Sequence, residues 1–480
     1  MEGRSSGLGM VGLGELPLEI LEDIVRLAMS SGTSGPVGQM ASVNSVWQTI
    51  VESGTFQQLR LDADDVGVAL RILRRRPGRF ALVRRIIFSV VLPMYSAAAC
   101  RRLESPDERS SNNMAFTRSI NILLTYLAQW PSTGKNLELQ LSAFSPADAR
   151  CIMGYRWVRH WHGVVPGDIL HNRMYGATLE LLNRPDTSVP AITKFTIRDD
   201  CERYLAVSSF DRLFRVFTGL RDIDFRYWDM YKHDPDHVRR EFRQQMAKVL
   251  DQMSSSVSSM RFSIAYSTPA DQTFQGQRTC ESDDHNSDSL TIAFRNATQK
   301  MTVVDVHGML GTPELFWPAQ VSEANPAPSW PNLKYMELYY HILDPTGEWL
   351  FDADTHSTPR VQADLPFYDL PIHLMPQEDI QPIQNRFTAD QEKMDAFYNA
   401  VAKAVGNMPK LKYLHVQAIT YWNGRLKPLH AFTLTIEGRV AHAVWSGSPP
   451  FEPSVDVLKL WRKMAYERSL ILTLESKDSE

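Results

Sequence analysis

Several groups of residues in this chain have types and spacings that chemistry uses. Gly7, Gly9 and Gly12 trace the outline of a dinucleotide-phosphate loop. That loop works only between a strand and the helix packed behind it, whereas Leu16-Pro17 opens a helix here with no strand before the glycines. His160 and His162, beside Trp157 and Trp161, have the period-two spacing of a strand-borne metal pair, and His233 and His237 have helical spacing. The first pair needs further ligands, and no carboxylate or thiol adjoins it. The second brackets Asp234-Pro235-Asp236, which reads as a turn. Cys100, Cys151, Cys201 and Cys280 lie far apart, so neither a zinc ribbon nor a disulfide framework is expected, and a reducing compartment fits. There is no HExxH, no GxSxG elbow and no GxxxxGK[ST] loop. A serine–histidine–acid set assembled from distant segments stays open as an alternative. The expectation is a non-enzyme with no catalytic residue, no metal and no cofactor.

The run from Arg71 to Arg85 holds seven arginines and no acid. A nuclear-localisation signal, a nucleic-acid patch and a dock for a phosphorylated partner all use such runs. So does a solvated helix and turn with Ile72, Leu73 and Phe80 facing inward. A formal charge of −4 and a pI near 6.4 give no general attraction to polyanions, so the solvated helix is expected and nucleic acid is not.

The elements that would position any site come next. An apolar content of 43% with 10% aromatic residues is that of a folded chain, and 480 residues leave room for one small unit and a long repeat array. The most apolar stretch, Phe80 to Leu92, is broken by Arg84 and Arg85 and is too short to span a bilayer. No secretory leader is visible, so the Asn296-Ala297-Thr298 sequon carries no weight. A soluble cytoplasmic or nuclear protein without a membrane is expected.

From Gly14 to Leu61 the pattern is helical. Pro17 suits a first helical turn, because its fixed φ fits and its missing N–H costs nothing there. Glu19, Glu22 and Asp23 put negative charge near the positive end of the helix dipole. Ile20, Leu21, Ile24, Val25 and Ala28 make one apolar face, and Met40, Val43, Val46, Trp47, Ile50 and Val51 make another. Helices in a segment this short cannot enclose a self-sufficient core, so they lean on a partner or on the rest of the chain. Leu-Pro-x-Glu-Ile from Leu16, then Ile24, then Ala-Ser-Val-Asn-Ser-Val-Trp from Ala41, with Phe56 and Leu59 behind, resembles an F-box. The resemblance implies docking to a Skp-type adaptor and, through it, to a cullin-based ubiquitin ligase. A small helical cap on a larger body is the alternative.

Beyond Phe56, short alternating apolar segments return repeatedly. They start at Leu59, Val83, Leu137, Ile192, Leu220, Val257, Ser289, Met301, Leu333, Leu411 and Phe432. Several have the form Leu-x-x-hydrophobic-x-hydrophobic, the strand portion of a leucine-rich repeat. Helical faces lie between them: Phe116 to Trp130, Phe210 to Phe217, Phe242 to Leu250, and a helix from Thr388 to Val405 whose Thr388 and Gln391 have capping-box spacing. Tyr266 to Asp288, Trp317 to Pro331, Asp352 to Ile383 and the tail after Glu475 read as loops. Asn136 to Asp148 and Val401 to Leu414 also look like segments of filamentous-fungal F-box proteins with leucine-rich-repeat-like C-terminal regions.

The expected α/β organisation is therefore a tail over 1–12, an F-box-like helical domain over 13–61, an irregular leucine-rich-repeat-like solenoid of parallel strands and helices over 62–475, and a tail over 476–480. A compact α/β domain is the alternative. On this reading the chain is the substrate-recognition subunit of an SCF-like ubiquitin ligase complex in ubiquitin-dependent degradation. Leu16, Pro17, Ile20 and Ile24 would face the adaptor, with Val43 and Trp47 shared between that adaptor-binding patch and internal packing. Tyr227, Trp228, Tyr339 and Tyr340 would contact an unknown protein target. The rivals are a ligase-independent scaffold with a structural F-box remnant, and an unrecognised enzyme.

Overall fold

The computed structural model describes residues 18–30, 39, 41–42, 44–99, 102–131, 136–148, 177–197, 203–229, 236–266, 276, 278–280, 288–323, 326–353, 360–363, 380–383, 386–422 and 425–478. The strands are β1 (Gln58–Leu61), β2 (Arg85–Val91), β3 (Leu137–Phe144), β4 (Ile192–Ile197), β5 (Asp222–Asp229), β6 (Ser259–Tyr266), β7 (Val303–Leu310) and β8 (Tyr335–His341). Next come β9 (Phe351–Ala353), β10 (Arg360–Ala363), β11 (Ile380–Ile383) and β12 (Arg386–Ala389), then β13 (Tyr413–Trp422), β14 (Arg425–Glu437), β15 (Val440–Gly447) and β16 (Ile471–Asp478). Twelve of them form one sheet in chain order, β1 to β8 followed by β13 to β16, with no closed barrel among the described residues. Every pairing in it is parallel except those that β14 makes with β13 and β15. The short strands β9 to β12 pair separately, β9 with β12 and β10 with β11.

A helix sits between most successive strands. These are α1 (Leu18–Ser30) and α2 (Ser45–Thr55) before the sheet, then α3 (Asp65–Arg74), α4 (Pro106–Leu127), α5 (Val207–Val216), α6 (Asp236–Asp251), α7 (Ser289–Thr298), α8 (Gln391–Gly406) and α9 (Val455–Glu467). Neighbours along the chain pack together: α5 on α6, α6 on α7 and α8 on α9, with a short 3-10 turn at Pro313–Leu315 between α7 and α8.

The sheet order follows from a recurring triplet of apolar positions. Leu220-Ile223-Phe225, Val257-Met260-Phe262, Met301-Val304-Val306, Leu333-Met336-Leu338 and Leu411-Leu414-Val416 are all buried in one core. Ile223, Met260, Val304, Met336 and Leu414 stand side by side in register across five strands, as do Phe225, Phe262, Val306, Leu338 and Val416. The backbone just before each strand repeats one contact: Ser258 N–H donates to Arg221, Thr302 to Ser258, Lys334 to Thr302 and Lys412 to Lys334. Each unit thus buries its apolar edge and satisfies its backbone only on its neighbours, although the units differ in length.

Several sequence expectations change. Ser289 to Phe294, read as a strand, is the start of α7, because Asp288 caps it and accepts from the Thr291 N–H. The helix expected from Thr388 starts at Gln391 with Asp390 as its cap, while Thr388 pairs in β12. Ile72 is exposed, whereas Leu73 and Phe80 point inward as expected. The stretch from Asp352 to Ile383 contains β9, β10 and β11, and β16 runs into the expected tail. His160, His162 and His233 lie outside the described residues.

Two buried ion pairs tie loops at the ends of the strands. Arg203, after β4, holds Asp148, after β3, at 3.0 Å and Glu104 at 3.4 Å, and the Tyr95 hydroxyl also donates to Asp148. Arg243 on α6 holds both oxygens of Asp288 at 2.7 and 2.6 Å, and Thr291 donates its N–H and hydroxyl to the same carboxylate. Burial alone would raise the Asp288 carboxyl, but Arg243 and Thr291 outweigh it and hold it below its ordinary value. Its stabilisation is therefore present above the unfolded value of about 3.9 and lost as pH falls through the depressed folded one.

Arg243→Met should destabilise the fold by about 3–5 kcal/mol, since it leaves a buried carboxylate without its cation. The pH dependence of the Asp288 contribution should also reverse. With Asp288 now raised, its own contribution should fall as pH climbs above about 4, so the stability lost relative to the parent should grow over that range. Denaturant melts across pH check both, and a parent-like pH profile would remove Arg243 as the cause.

Candidate functional site

The helices α1 and α2 have a small core of their own. Leu21, Val25, Trp47, Ile50 and Val51 form it, with Ile24 and Ala41 at its margin, separate from the main core. Asn44 caps α2 by accepting from the Trp47 N–H at 2.9 Å. The apolar residues of α1 divide into two faces. Leu21 and Val25 point inward, while Ile20 is 46% and Leu27 70% exposed, with Val46 of α2 44% exposed. A helix apolar on two sides has one side left for another surface.

Among the residues assigned to the adaptor, Ile20 is exposed and Ile24 half-buried, whereas Trp47 is only 4% exposed. Of the shared role expected for Trp47, the structure shows the internal packing: it lies in the small core with Leu21, Val25, Ile50 and Val51 and presents little surface. Leu16, Pro17 and Val43 lie outside the described residues. Leu27 was missed, although Ile20, Ile24 and Leu27 have the i, i+4, i+7 spacing of a single stripe.

Part of the arginine run fastens this unit to the sheet. Arg79 donates its Nε to Glu52 of α2 at 3.1 Å, Arg76 approaches the same carboxylate at 3.9 Å, and the Arg79 guanidinium lies 5.1 Å from the Phe56 ring centre. The bond from Arg79 chiefly holds Glu52 below its ordinary range.

The second candidate is the sheet face opposite the buried triplets. From β5 to β13 the described residues of this face are half-buried or exposed as far as His307, Tyr339 and Gln417, whereas His341 at the end of β8 is buried. One row reads Asp224, Arg261, Asp305, Glu337, His415 across successive strands. Arg261 bridges Asp305 at 2.6 Å and Asp224 at 3.6 Å, and the His307 ring meets Asp305 at 3.2 Å. The His307 contact first, then Arg261, depresses the Asp305 carboxyl. Tyr339 stacks on His307 with ring centres 4.1 Å apart and lies 5.6 Å from the His415 ring, and Tyr413 is parallel to His415 at 6.4 Å. His415 is oriented by Thr433 at 2.9 Å and Gln417 at 3.1 Å. Gly308, at φ +87°, ends the row: a Cβ there would stand 1.9 Å from the Ile264 carbonyl oxygen, and the bulge turns Met309 into the core.

Of the residues assigned to a target, Tyr339 belongs to this face. Tyr340 does not. It is 0% exposed and packs against Phe397, since successive strand residues point to opposite sides. Tyr227 is also corrected: it shares the register side of Ile223 and Phe225 and stacks on Phe242 of α6 at 4.1 Å. Trp228 pairs with Ala265, and its side chain lies outside the described residues. Glu337, His307, Tyr413 and His415 were missed because they carry no motif; only strand register brings them together.

Ser263 stands opposite His307 in register, but no hydrogen bond joins them among the described residues. Nor do the described residues hold a group of three ligands for a metal.

Partial burial first, and the nearby Glu337 next, raise the Tyr339 phenol above its ordinary value. Ultraviolet titration of the protein against Tyr339→Phe should isolate one late-ionising phenol, and Glu337→Gln should bring it down. An unchanged titration would separate Glu337 from Tyr339.

No described helix is long and apolar enough to cross a membrane. Compared with known proteins, the chain matches no family model and no curated sequence.

Proposed function

We propose that this protein is the substrate-recognition subunit of an SCF-like ubiquitin ligase. The α1–α2 unit docks a Skp-type adaptor, and the sheet body, an irregular leucine-rich-repeat-like solenoid, holds a protein target. The observation that carries the reading is the outward stripe of Ile20 and Leu27 on α1, with Val46 also exposed on α2, on a unit with its own core. Apolar side chains exposed together on so small a unit are what an adaptor would cover. The chain order of the sheet supports the solenoid, because a repeat array adds one strand per unit. The mechanism is non-covalent: binding raises the effective concentration of target lysines near a charged ubiquitin-conjugating enzyme.

A second reading has one observation in its favour. The Glu52–Arg79 pair and the Phe56 contact anchor α2 to the sheet, as they would in a purely structural cap on a ligase-independent scaffold.

The two readings separate on adaptor capture. Ile20→Asp with Leu27→Asp should abolish co-purification with a Skp-type adaptor while leaving the thermal midpoint within a few degrees, because both side chains already face solvent. No capture by the parent would favour the cap, and capture undiminished by the double variant would remove Ile20 and Leu27 as the docking stripe. Trp47→Ala, by contrast, should cost about 3–5 kcal/mol locally. Hydrogen exchange should then accelerate in α1 and α2 and not in β5 to β8; unchanged protection in α1 and α2 would show that Trp47 does not hold them.

A further inference from the structure

The open face of the sheet carries spare positive charge at one end and spare negative charge at the other. Near β3, Glu138 is matched by Arg85 at 2.8 Å and Lys194 at 3.3 Å, and Gln140 and Thr196 also donate to it. In the row through Asp224, Arg261 and Asp305, the cation lies between two carboxylates. Glu337 comes next, and among the described residues it has no ion pair; its one hydrogen bond is a 3.5 Å contact from the Tyr339 hydroxyl. From β5 to β8 this face presents Asp222, Asp224, Asp305 and Glu337 against Arg226 and Arg261. The excess is negative, and Glu337 is one of the carboxylates that carry it without an ion pair among the described residues.

Rings frame that carboxylate. Tyr335 and Tyr339 precede and follow it on the same face of β8, and Tyr413 and His415 stand beside them on β13. Tyr335 is 44% exposed, so the frame is open to solvent. Same-face neighbours on a strand are roughly 7 Å apart and strands roughly 4.8 Å apart, so one planar cation can reach the carboxylate and lie on a ring together. A carboxylate with flanking aromatic faces recognises guanidinium and ammonium groups, and it repels phosphates.

We propose that the open face around Glu337, Tyr339 and Tyr413 is a docking site for a basic protein segment, with an arginine or lysine side chain seated on Glu337 between the rings. This deepens the recognition half of the function proposed above by naming the target's chemistry. It does not depend on the adaptor.

Fluorescent peptides of one scaffold, with arginine, lysine, glutamine or glutamate at the centre, should be titrated against the full-length protein. The arginine and lysine peptides should bind tighter than the glutamine one, the glutamate peptide weakest, and added salt should weaken the cationic pair. Glu337→Gln and Tyr339→Leu should each cut binding of the arginine peptide by about tenfold. Glu337→Gln removes no ion pair, so its melting curve should match the parent. The Ile20→Asp, Leu27→Asp variant should bind the peptides normally, so loss of adaptor docking and loss of this site are read separately. Equal affinity for all four peptides, preference for the glutamate peptide, or full binding by Glu337→Gln would overturn the proposal.

Discussion

The rest of the molecule depends on the register between neighbouring parallel strands. Ile223, Met260, Val304, Met336 and Leu414 align because each strand can cover its inward side only with the strand before and the strand after. A slip of one residue in any pairing would expose Met336 or Leu338 and bury Glu337. That cost fixes which side chains face the helices and which face solvent. The open face is a consequence of the same constraint: among the described residues no helix covers the side chains between the triplet positions, so polar and aromatic side chains can gather there.

Register also explains why charge is arranged across strands and not along them. Arg85, Glu138 and Lys194 are distant in sequence, yet they form one ladder, and Asp224, Arg261 and Asp305 form another. Exposed pairs of this kind add little stability individually. Their value is to offset charge on a face that would otherwise repel itself, and Glu337 adds a carboxylate that no cation in its row offsets. The buried pairs differ in kind. Arg203 with Asp148, and Arg243 with Asp288, lie where water cannot screen them, and each ties a loop to a neighbouring element.

The sequence made the strands legible wherever Leu-x-x-hydrophobic-x-hydrophobic recurred, as at Leu220, Leu333 and Leu411. It failed at Ser289, where SLTIAF alternates like a strand but the Asp288 cap and its buried Arg243 partner select a helix. It also failed after Phe432. The strand β15 and the helix α9 have good patterns, Ala441-Ala443-Trp445 and Val457-Trp461-Met464, but they lack the leading leucine of the repeat. Of the site residues, Ile20 and Tyr339 were readable from spacing and from position in a repeat. Glu337, His307 and His415 were not, because each is ordinary in its own strand and becomes a site only through pairing. Tyr340 was misread because an aromatic in a repeat pattern fills the core as readily as it marks a surface, and local sequence does not say which.

The separation of the chain into two working surfaces is the claim on which the functional reading stands. Hydrogen exchange of the full-length protein, with and without a Skp-type adaptor, tests it most directly. Protection should appear in α1 and α2, around Ile20, Ile24 and Leu27, and leave β6 to β8 and β13 unchanged. Protection absent from α1 and α2, or spread over the open face, would contradict it.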